Sequence, residues 1–241
     1  MANNYFRFKE FTVYQDACAM KVCTDACIQG AYTARYILEN SLPSSAIMDI
    51  GAGTGLLSLM LAQQLPTATI TAVELDATAA VQAAENMALS PWSFRTGVIT
   101  GDIKELPVTA PYDFIITNPP FYEADLKSND QLRNQAMHTT TLGYSSLLEV
   151  ITKHLAPDGF FSILLPYQPF KNFALKAAGA GFYAQQVLHI KQSDQHDYFR
   201  SVGIFKRNEG VTDTAEMAIR ETGNIYTSAF IDLLQPYYLY L

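Results

Sequence analysis

Basic residues are scarce in these 241 residues, and cysteine is scarcer. Sixteen Lys and Arg stand against 23 Asp and Glu, for a net charge of -7. This argues against a broad basic face for long duplex nucleic acid, but leaves room for a local cluster that touches a few phosphates of a compact RNA. The three cysteines, Cys18, Cys23 and Cys27, crowd into ten residues with no fourth partner, which excludes a disulfide framework. His138, His154, His189 and His196 offer no ligand at metal-binding spacing, so no metal is expected and the cysteines read as small thiols in a reducing compartment. No run has the apolar length of a membrane span, and the start "MANNYFRFKEFTV" lacks the basic segment and apolar stretch of a secretory signal. The expectation is a soluble cytoplasmic protein with no membrane partner and no obligate protein partner, a monomer. Internal repeats, coiled coils and low-complexity linkers are also missing, so residues 1–241 are expected to form one domain.

What is present is a hydrophobic share of 49%, enough for a sizeable core. "AIMDIGAGTG" reads as a strand entering a glycine turn, "LLSLMLAQQL" as a helix, "TATITAVELD" as a strand and "ATAAVQAAENMAL" as a helix. "FRTGVITGDI" and "YDFIITNPPF" are two further strands. This alternation predicts an α/β doubly wound fold, a mostly parallel sheet with helices on both faces. Upstream, "YTARYILEN" reads as a helix broken by "SLPSS". Downstream, "LGYSSLLEVITKHLAPDG" predicts a helix ending at Gly159, and "FFSILLP" a buried strand. "YAQQVLHIKQ" and "YFRSVGIFKR" form a strand pair, expected as the antiparallel edge of a seven-stranded sheet. The final stretch starts strand-like and ends in a helix.

Three strand tips carry polar residues. Gly51, Gly53 and Gly55 lie between a strand and a helix, where they allow a tight turn and a close backbone approach to a ligand. Their Gly-x-Gly-x-Gly spacing differs from the dinucleotide fingerprint, and taken alone it also suits a structural turn. Glu74 ends the next strand, where a carboxylate can accept both hydroxyls of a ribose. Together they favour a nucleoside-bearing cofactor without a pyrophosphate. Asp102 ends the third strand and either accepts from an adenine amine, with the Ile103 amide donating to the ring, or caps the following turn. Asp49 either holds the glycine loop or orients the charged amino-acid end of a ligand.

The stretch "TNPPF" follows "YDFII" directly. Proline has no amide proton to give a sheet, so the strand stops there and the corner is rigid. Asn118 at the tip offers its side-chain oxygen, Pro119 offers a backbone carbonyl, and Pro120 stiffens the pair. Phe121 adds a flat face beside them. Two acceptors on the protons of a planar amine pull its lone pair out of conjugation and aim it at an electrophile.

Gly-x-Gly-x-Gly, Glu74, Asp102 and Asn118-Pro119-Pro120-Phe121, in this order, resemble the class I S-adenosylmethionine-dependent amino-methyltransferases, which have a Rossmann-like fold. Over nearly the full length the chain is similar to a narrower family, the bacterial enzymes that methylate the exocyclic amine of adenosine 37 in the anticodon loop of a valine tRNA. The pieces that carry this are "FRFKEFTVYQDACAMKVCTDACIQGAYTA", "MDIGAGTGLLSLMLAQQ", "AVELDATAAVQAAENMALSPW", "YDFIITNPPFY", "HTTTLGYSSLLE", "GFFSILLP" and "YTSAFIDLLQPYYLYL". Cys23 and Cys27 stand where relatives generally have glycine.

The resemblance implies S-adenosylmethionine as cofactor. Gly51, Gly53 and Gly55 would surround its methionine part, Glu74 its ribose, and Asp102 with Ile103 its adenine. Residues 1–30 would be an extension over the mouth, where Lys21 and Thr24 lie against cofactor and substrate, with Lys21 either a phosphate contact or a surface charge. Residues 122–140 would be a substrate-side loop. Asn118 and Pro119 would grip the amine, and Phe121, or Tyr122, would stack on the base. Arg7, Lys9, Lys127, Arg133 and Arg200 are candidate phosphate contacts, each equally readable as a solvated charge. The same motif serves enzymes acting on an rRNA adenine or a protein glutamine, and a non-catalytic S-adenosylmethionine or RNA binding protein is the reading from another class.

Overall fold

A computed structural model describes residues 3–18, 20–120 and 143–241. A hairpin of β1 (Tyr5–Arg7) and β2 (Thr12–Tyr14) leads into α1 (Thr24–Glu39). Strands and helices then alternate: β3 (Ala46–Ile50), α2 (Leu56–Gln64), β4 (Thr69–Glu74), α3 (Ala77–Ala88), β5 (Thr96–Thr100) and β6 (Tyr112–Thr117). After these come α4 (Tyr144–His154), β7 (Leu155–Pro166), α5 (Tyr167–Gly179), β8 (Tyr183–Ser193), β9 (Tyr198–Lys206), β10 (Asp213–Arg220) and α6 (Ser228–Leu234). Among the described residues no helix is long and apolar enough to cross a membrane.

Strands β3 to β10 form one sheet in the order β10-β8-β9-β7-β6-β3-β4-β5. All run parallel except β9, which opposes both β7 and β8. The class of fold is as expected, but the sheet has eight strands instead of seven, and the β8–β9 pair is not its edge. β9 inserts between β7 and β8, and β10 closes the row outside β8. The pattern of "DTAEMAIR" is weak because only Met217 and Ile219 reach the core. The ladder to β8 makes it a strand.

Both faces of the sheet are covered, so the central strands are apolar throughout: Phe114, Ile115 and Ile116 are fully buried. One face, with Ile47, Ile70, Phe114 and Ile116, packs under α1, α2, α6 and the hairpin. The other, with Met48, Ile50, Ile115 and Ile163, packs under α4 and α5.

Two boundaries differ from the sequence reading. Helix α1 begins eight residues before Tyr32, the start of the expected helix. Its added first half contains Gly30, where a Cβ would stand 2.8 Å from the Met60 sulfur, so glycine is what lets α1 and α2 approach. At the other end α4 stops at His154 instead of Gly159, because Leu155 already pairs with Tyr112 in the sheet.

From β3 the chain builds β4 and β5 to one side and then crosses back to place β6 on the other. This reversal makes the crevice outside the carboxyl ends of β3 and β6 the natural ligand position.

Candidate functional site

At the end of β3 the backbone turns through three left-handed glycines, with φ of 72° at Gly51, 54° at Gly53 and 79° at Gly55. Any residue with a Cβ would be strained there by about 1–2 kcal/mol. The Gly51 and Ala52 amides donate to the Val73 carbonyl at 2.8 and 3.3 Å. The Gly53 amide donates to Glu74 Oε2 at 2.8 Å, while the Asp76 amide donates to Glu74 Oε1 at 2.9 Å. Glu74 is thus a strut between the glycine loop and the start of α3. A carboxylate offers about four lone-pair sites, so each oxygen can still accept from a ligand. A Cβ added at Gly51 or Gly53 would meet nothing within 4 Å, so the loop borders open space.

Asp49, next to the loop on β3, is fully buried. Its Oδ2 accepts from the Ser58 amide at 3.1 Å and the Ser58 hydroxyl at 2.7 Å, which ties β3 to the first turn of α2. Its Oδ1 has no partner among the described residues. Burial pushes the Asp49 carboxyl up to about 7, with the Ser58 hydrogen bonds opposing and the charge of Glu74 adding. The sequence reading did not single out Ser58. Its only signal was a hydroxyl inside an apolar helix.

Asp102 follows β5 and accepts from the Lys104 amide at 3.0 Å, with the Lys104 ammonium at 3.1 Å. Burial raises its pKa, but these Lys104 contacts outweigh burial and leave the carboxyl below its ordinary range. It is a turn cap in this state, as the alternative reading had it, and it stands on the same sheet edge as Glu74. Ile103 is buried in the core with Met48, Ile50 and Val73.

At the end of β6, Asn118 is half-buried, Pro119 buried and Pro120 exposed. The Asn118 Oδ1 is itself buried and has no partner among the described residues. An acceptor so placed calls for an explanation, because buried polar atoms are nearly always paired. The backbone leading to it is held firmly. Thr117 Oγ1 donates to the Ile50 carbonyl at 2.9 Å, and Gln29 Nε2, from α1, donates to the Thr117 carbonyl at 2.9 Å. Gln29 is fully buried and its Oε1 is also unpartnered among the described residues. This residue was missed from sequence, where a glutamine in a small-residue run carried no signal.

Glycine loop, Glu74, Asp102 and Asn118 follow four neighbouring parallel strands, β3, β4, β5 and β6. Adjacent strands are about 4.8 Å apart, so Asn118 and Glu74, two strands apart, flank the loop at roughly 10 Å. Phe121, Tyr122, Lys127, Arg133 and the stretch 122–140 lie outside the described residues.

Helix α1 brings residues before 30 to the same edge. Asp25 in its first turn pairs with Arg200 of β9 at 2.8 Å, and Gln29 reaches Thr117. Lys21 and Thr24 are exposed just ahead of this contact. Among the described residues, the basic candidates Arg7 and Lys9 belong to the β1–β2 hairpin and Arg200 to β9. Arg200 is engaged by Asp25, and Lys9 donates to the Gln235 carbonyl at 2.5 Å. Arg7 is exposed on β1, and the neighbouring Phe8 is buried against Phe11 and Tyr238. Of the aromatic tail, Tyr237 is buried, with its hydroxyl donating to the Met60 carbonyl at 3.3 Å, whereas Tyr240 is exposed. Cys27 is buried and Cys18 and Cys23 are half-buried. Burial pushes the thiols of Cys18 to about 11 and of Cys23 to about 12.

Comparison with known proteins gives this geometry its context. The family model of the Methyltransferase small domain matches residues 33–164. A predicted O-methyltransferase of Agrobacterium tumefaciens shares the fold with a TM-score of 0.67 at 21% identity, over 88% of this chain and 96% of its own. The glycopeptide N-methyltransferase MtfA, crystallised with S-adenosylmethionine, does so with a TM-score of 0.52 at 12% identity, over 74% and 94%. Sequence likeness reaches further. The tRNA1(Val) (adenine(37)-N6)-methyltransferase of Dyadobacter fermentans is 42% identical over 241 residues, 98% of each protein. With this identity across practically the whole of both sequences, the chain belongs to the family of tRNA1(Val) (adenine(37)-N6)-methyltransferases.

Proposed function

We propose that the chain methylates the exocyclic amine of adenosine 37 in the anticodon loop of a valine tRNA, using the corner at Asn118 to hold the amine and the Gly51–Gly55 edge to hold S-adenosylmethionine. The observation that carries this reading is the buried, unpartnered Asn118 Oδ1 beside the glycine loop and Glu74.

The residues present fit the cofactor. Glu74 is placed for the ribose hydroxyls, the open side of Gly51 and Gly53 for the methionine part, and Asp102 with Ile103 for the adenine. The unpartnered Asp49 Oδ1, in a buried site, suits a cationic ammonium group nearby. When bound, S-adenosylmethionine supplies a methyl group activated by its positive sulfur. Asn118 Oδ1 and the Pro119 carbonyl accept the two protons of the amine and turn its lone pair out of the ring plane. Thr117 and Gln29 keep that corner from shifting. No strong base is needed at the nitrogen, because the proton leaves to water after the methyl has arrived. Phe121, or Tyr122, stacks on the base.

Residues 1–30 serve as the rim over the mouth, with Lys21 and Thr24 on it, and residues 122–140 as the substrate-side loop of a single domain. Arg7, Lys9, Lys127, Arg133 and Arg200 remain candidate phosphate contacts in this reading. A loop nucleotide is already unpaired, so seating it costs less than extracting a base from a duplex. Such an enzyme works where tRNA is, and we place the chain in the cytoplasm.

Nucleoside mass spectrometry after incubation of unmodified tRNA with protein and cofactor tests the reading. The expected product is N6-methyladenosine from valine tRNA, lost when adenosine 37 is replaced. Methylation of rRNA or of a glutamine side chain in place of tRNA overturns it.

A further inference from the structure

Next to the corner the sheet is taller. The last pairing of β6 with β7 is Thr117 with Ile163, but β7 continues through Leu164, Leu165 and Pro166, paired with Val202, Ser201 and Arg200 of β9. Three residues at about 3.3 Å each raise a wall of roughly 10 Å beside Asn118.

The end of this wall carries a cluster that the reaction described above does not use. Tyr167 starts α5, Lys171 lies one turn later, His189 and Lys191 are on β8, and Tyr198 starts β9. The rings of Tyr167 and His189 are 5.0 Å apart at 86°, those of Tyr167 and Tyr198 5.0 Å at 40°, and those of His189 and Tyr198 5.2 Å at 46°. The Lys171 ammonium lies 4.6 Å from the Tyr167 ring and that of Lys191 4.4 Å from the Tyr198 ring. Lys171 is exposed and the other four are half-buried.

An irregularity in the ladder creates the cluster. Ile190 pairs with Arg200, but Lys191 pairs with Tyr198, so Phe199 is skipped. Phe199 packs into the core under α1, whereas Tyr198 turns to Lys191. Bulges of this kind re-aim side chains at functional edges. Glu216 of β10 holds the arrangement, pairing with Lys191 at 3.4 Å.

Clustered aromatic rings, tilted and edge-on to one another with cations over two of them, at an accessible sheet end, are the chemistry of a single-strand nucleic-acid platform. With Glu216 offsetting one of them, the two ammonium groups leave the cluster net positive in a chain of net charge -7, a local attraction that the overall surface does not supply. Strand spacing puts Tyr198 about 10 Å and His189 about 14 Å to the side of β6, within reach of nucleotides adjoining a base held at Asn118.

We propose that Tyr167, Tyr198 and His189, with Lys171 and Lys191, bind the unpaired nucleotides flanking the methylated adenosine, the rings stacking on a base and the two lysines contacting phosphates. The inference rests on the placement of the amine at Asn118.

Fluorescence anisotropy with a labelled anticodon stem-loop RNA, titrated between low and moderate salt, tests it directly. Replacing both lysines (Lys171→Ser with Lys191→Ser) is expected to weaken binding roughly tenfold at low salt. The slope of log affinity against log salt should fall by about 1.4, two contacts at ~0.7 each. Calorimetric cofactor affinity should be unchanged. Should loss of the Lys191–Glu216 pair unfold that variant, the exposed Lys171→Ser alone is expected to lower the slope by about 0.7. A folded variant with unchanged RNA affinity and slope overturns the platform. Asn118→Ala separates the two ideas, since it should lower methyl transfer by roughly 100-fold or more while leaving the salt slope of stem-loop binding unchanged. Methyl transfer by that variant at the unsubstituted rate refutes the corner, whatever the lysines do.

Discussion

Glu74 and Asn118 end strands of the same sheet and flank the same loop, yet they are held in opposite ways. Both oxygens of Glu74 already accept backbone amides, one from the glycine loop and one from the start of α3. The Asn118 oxygen accepts nothing among the described residues, although the backbone before it is clamped by Thr117 and Gln29. The Glu74 strut has both oxygens satisfied, so it is in place before a ligand arrives and contributes to stability. Asn118 keeps an acceptor unmet, so in the proposed reading a part of its hydrogen-bonding capacity is used only when an amine is seated.

This contrast predicts that activity and stability come apart at the two ends. The largest effect should be on turnover at the substrate end. Asn118→Ala is expected to lower kcat by roughly 100-fold or more, the scale for loss of one preorganised polar contact to a transition state. Its melting temperature should be unchanged or raised, because among the described residues the Asn118 oxygen has no hydrogen bond to lose. A clear drop in melting temperature in that variant would mean the oxygen has a structural partner, and the contrast breaks.

At the cofactor end both quantities should move together. Glu74→Ala leaves the Gly53 and Asp76 amides without their acceptor, and is expected to cost about 1–3 kcal/mol of stability while weakening cofactor binding. Chemical denaturation and titration calorimetry on the same preparation check this. Weakened binding with full stability would show that the strut is dispensable to the loop.

A graded effect sharpens the comparison through pH. Asp49 is held at about 7 when folded, above the ordinary carboxyl value near 3.9. Between these values the folded chain holds a proton that the unfolded chain has released. The contribution of this group is therefore full below about 4, declines as pH rises through about 7, and is level above. The decline is up to about 1.4 kcal/mol per pH unit. Asp49→Asn, which retains an oxygen for Ser58, should flatten that part of the profile in thermal melts from pH 5 to 8. Equal profiles for the two proteins would place the Asp49 carboxyl at an ordinary pKa.

Local signals made much of this legible. Gly51, Gly53 and Gly55 mark a turn because left-handed backbone excludes other residues, and Asn118-Pro119-Pro120 marks a rigid strand end because proline cannot extend a ladder. The parallel sheet followed from the alternation of apolar runs and helix formers. Residue types and spacing alone thus determined the class of fold and the polar residues that end its neighbouring parallel strands. Tertiary structure decided what depends on partners distant in sequence: Gln29 reaching Thr117 across 88 residues, Ser58 satisfying Asp49, and α1 beginning at Thr24 because Gly30 meets Met60. It also decided that β10, already strand-like in sequence, pairs outside β8 and that Tyr198 faces Lys191, since a weakly apolar segment and a skipped residue acquire their direction only from the neighbour they pair with.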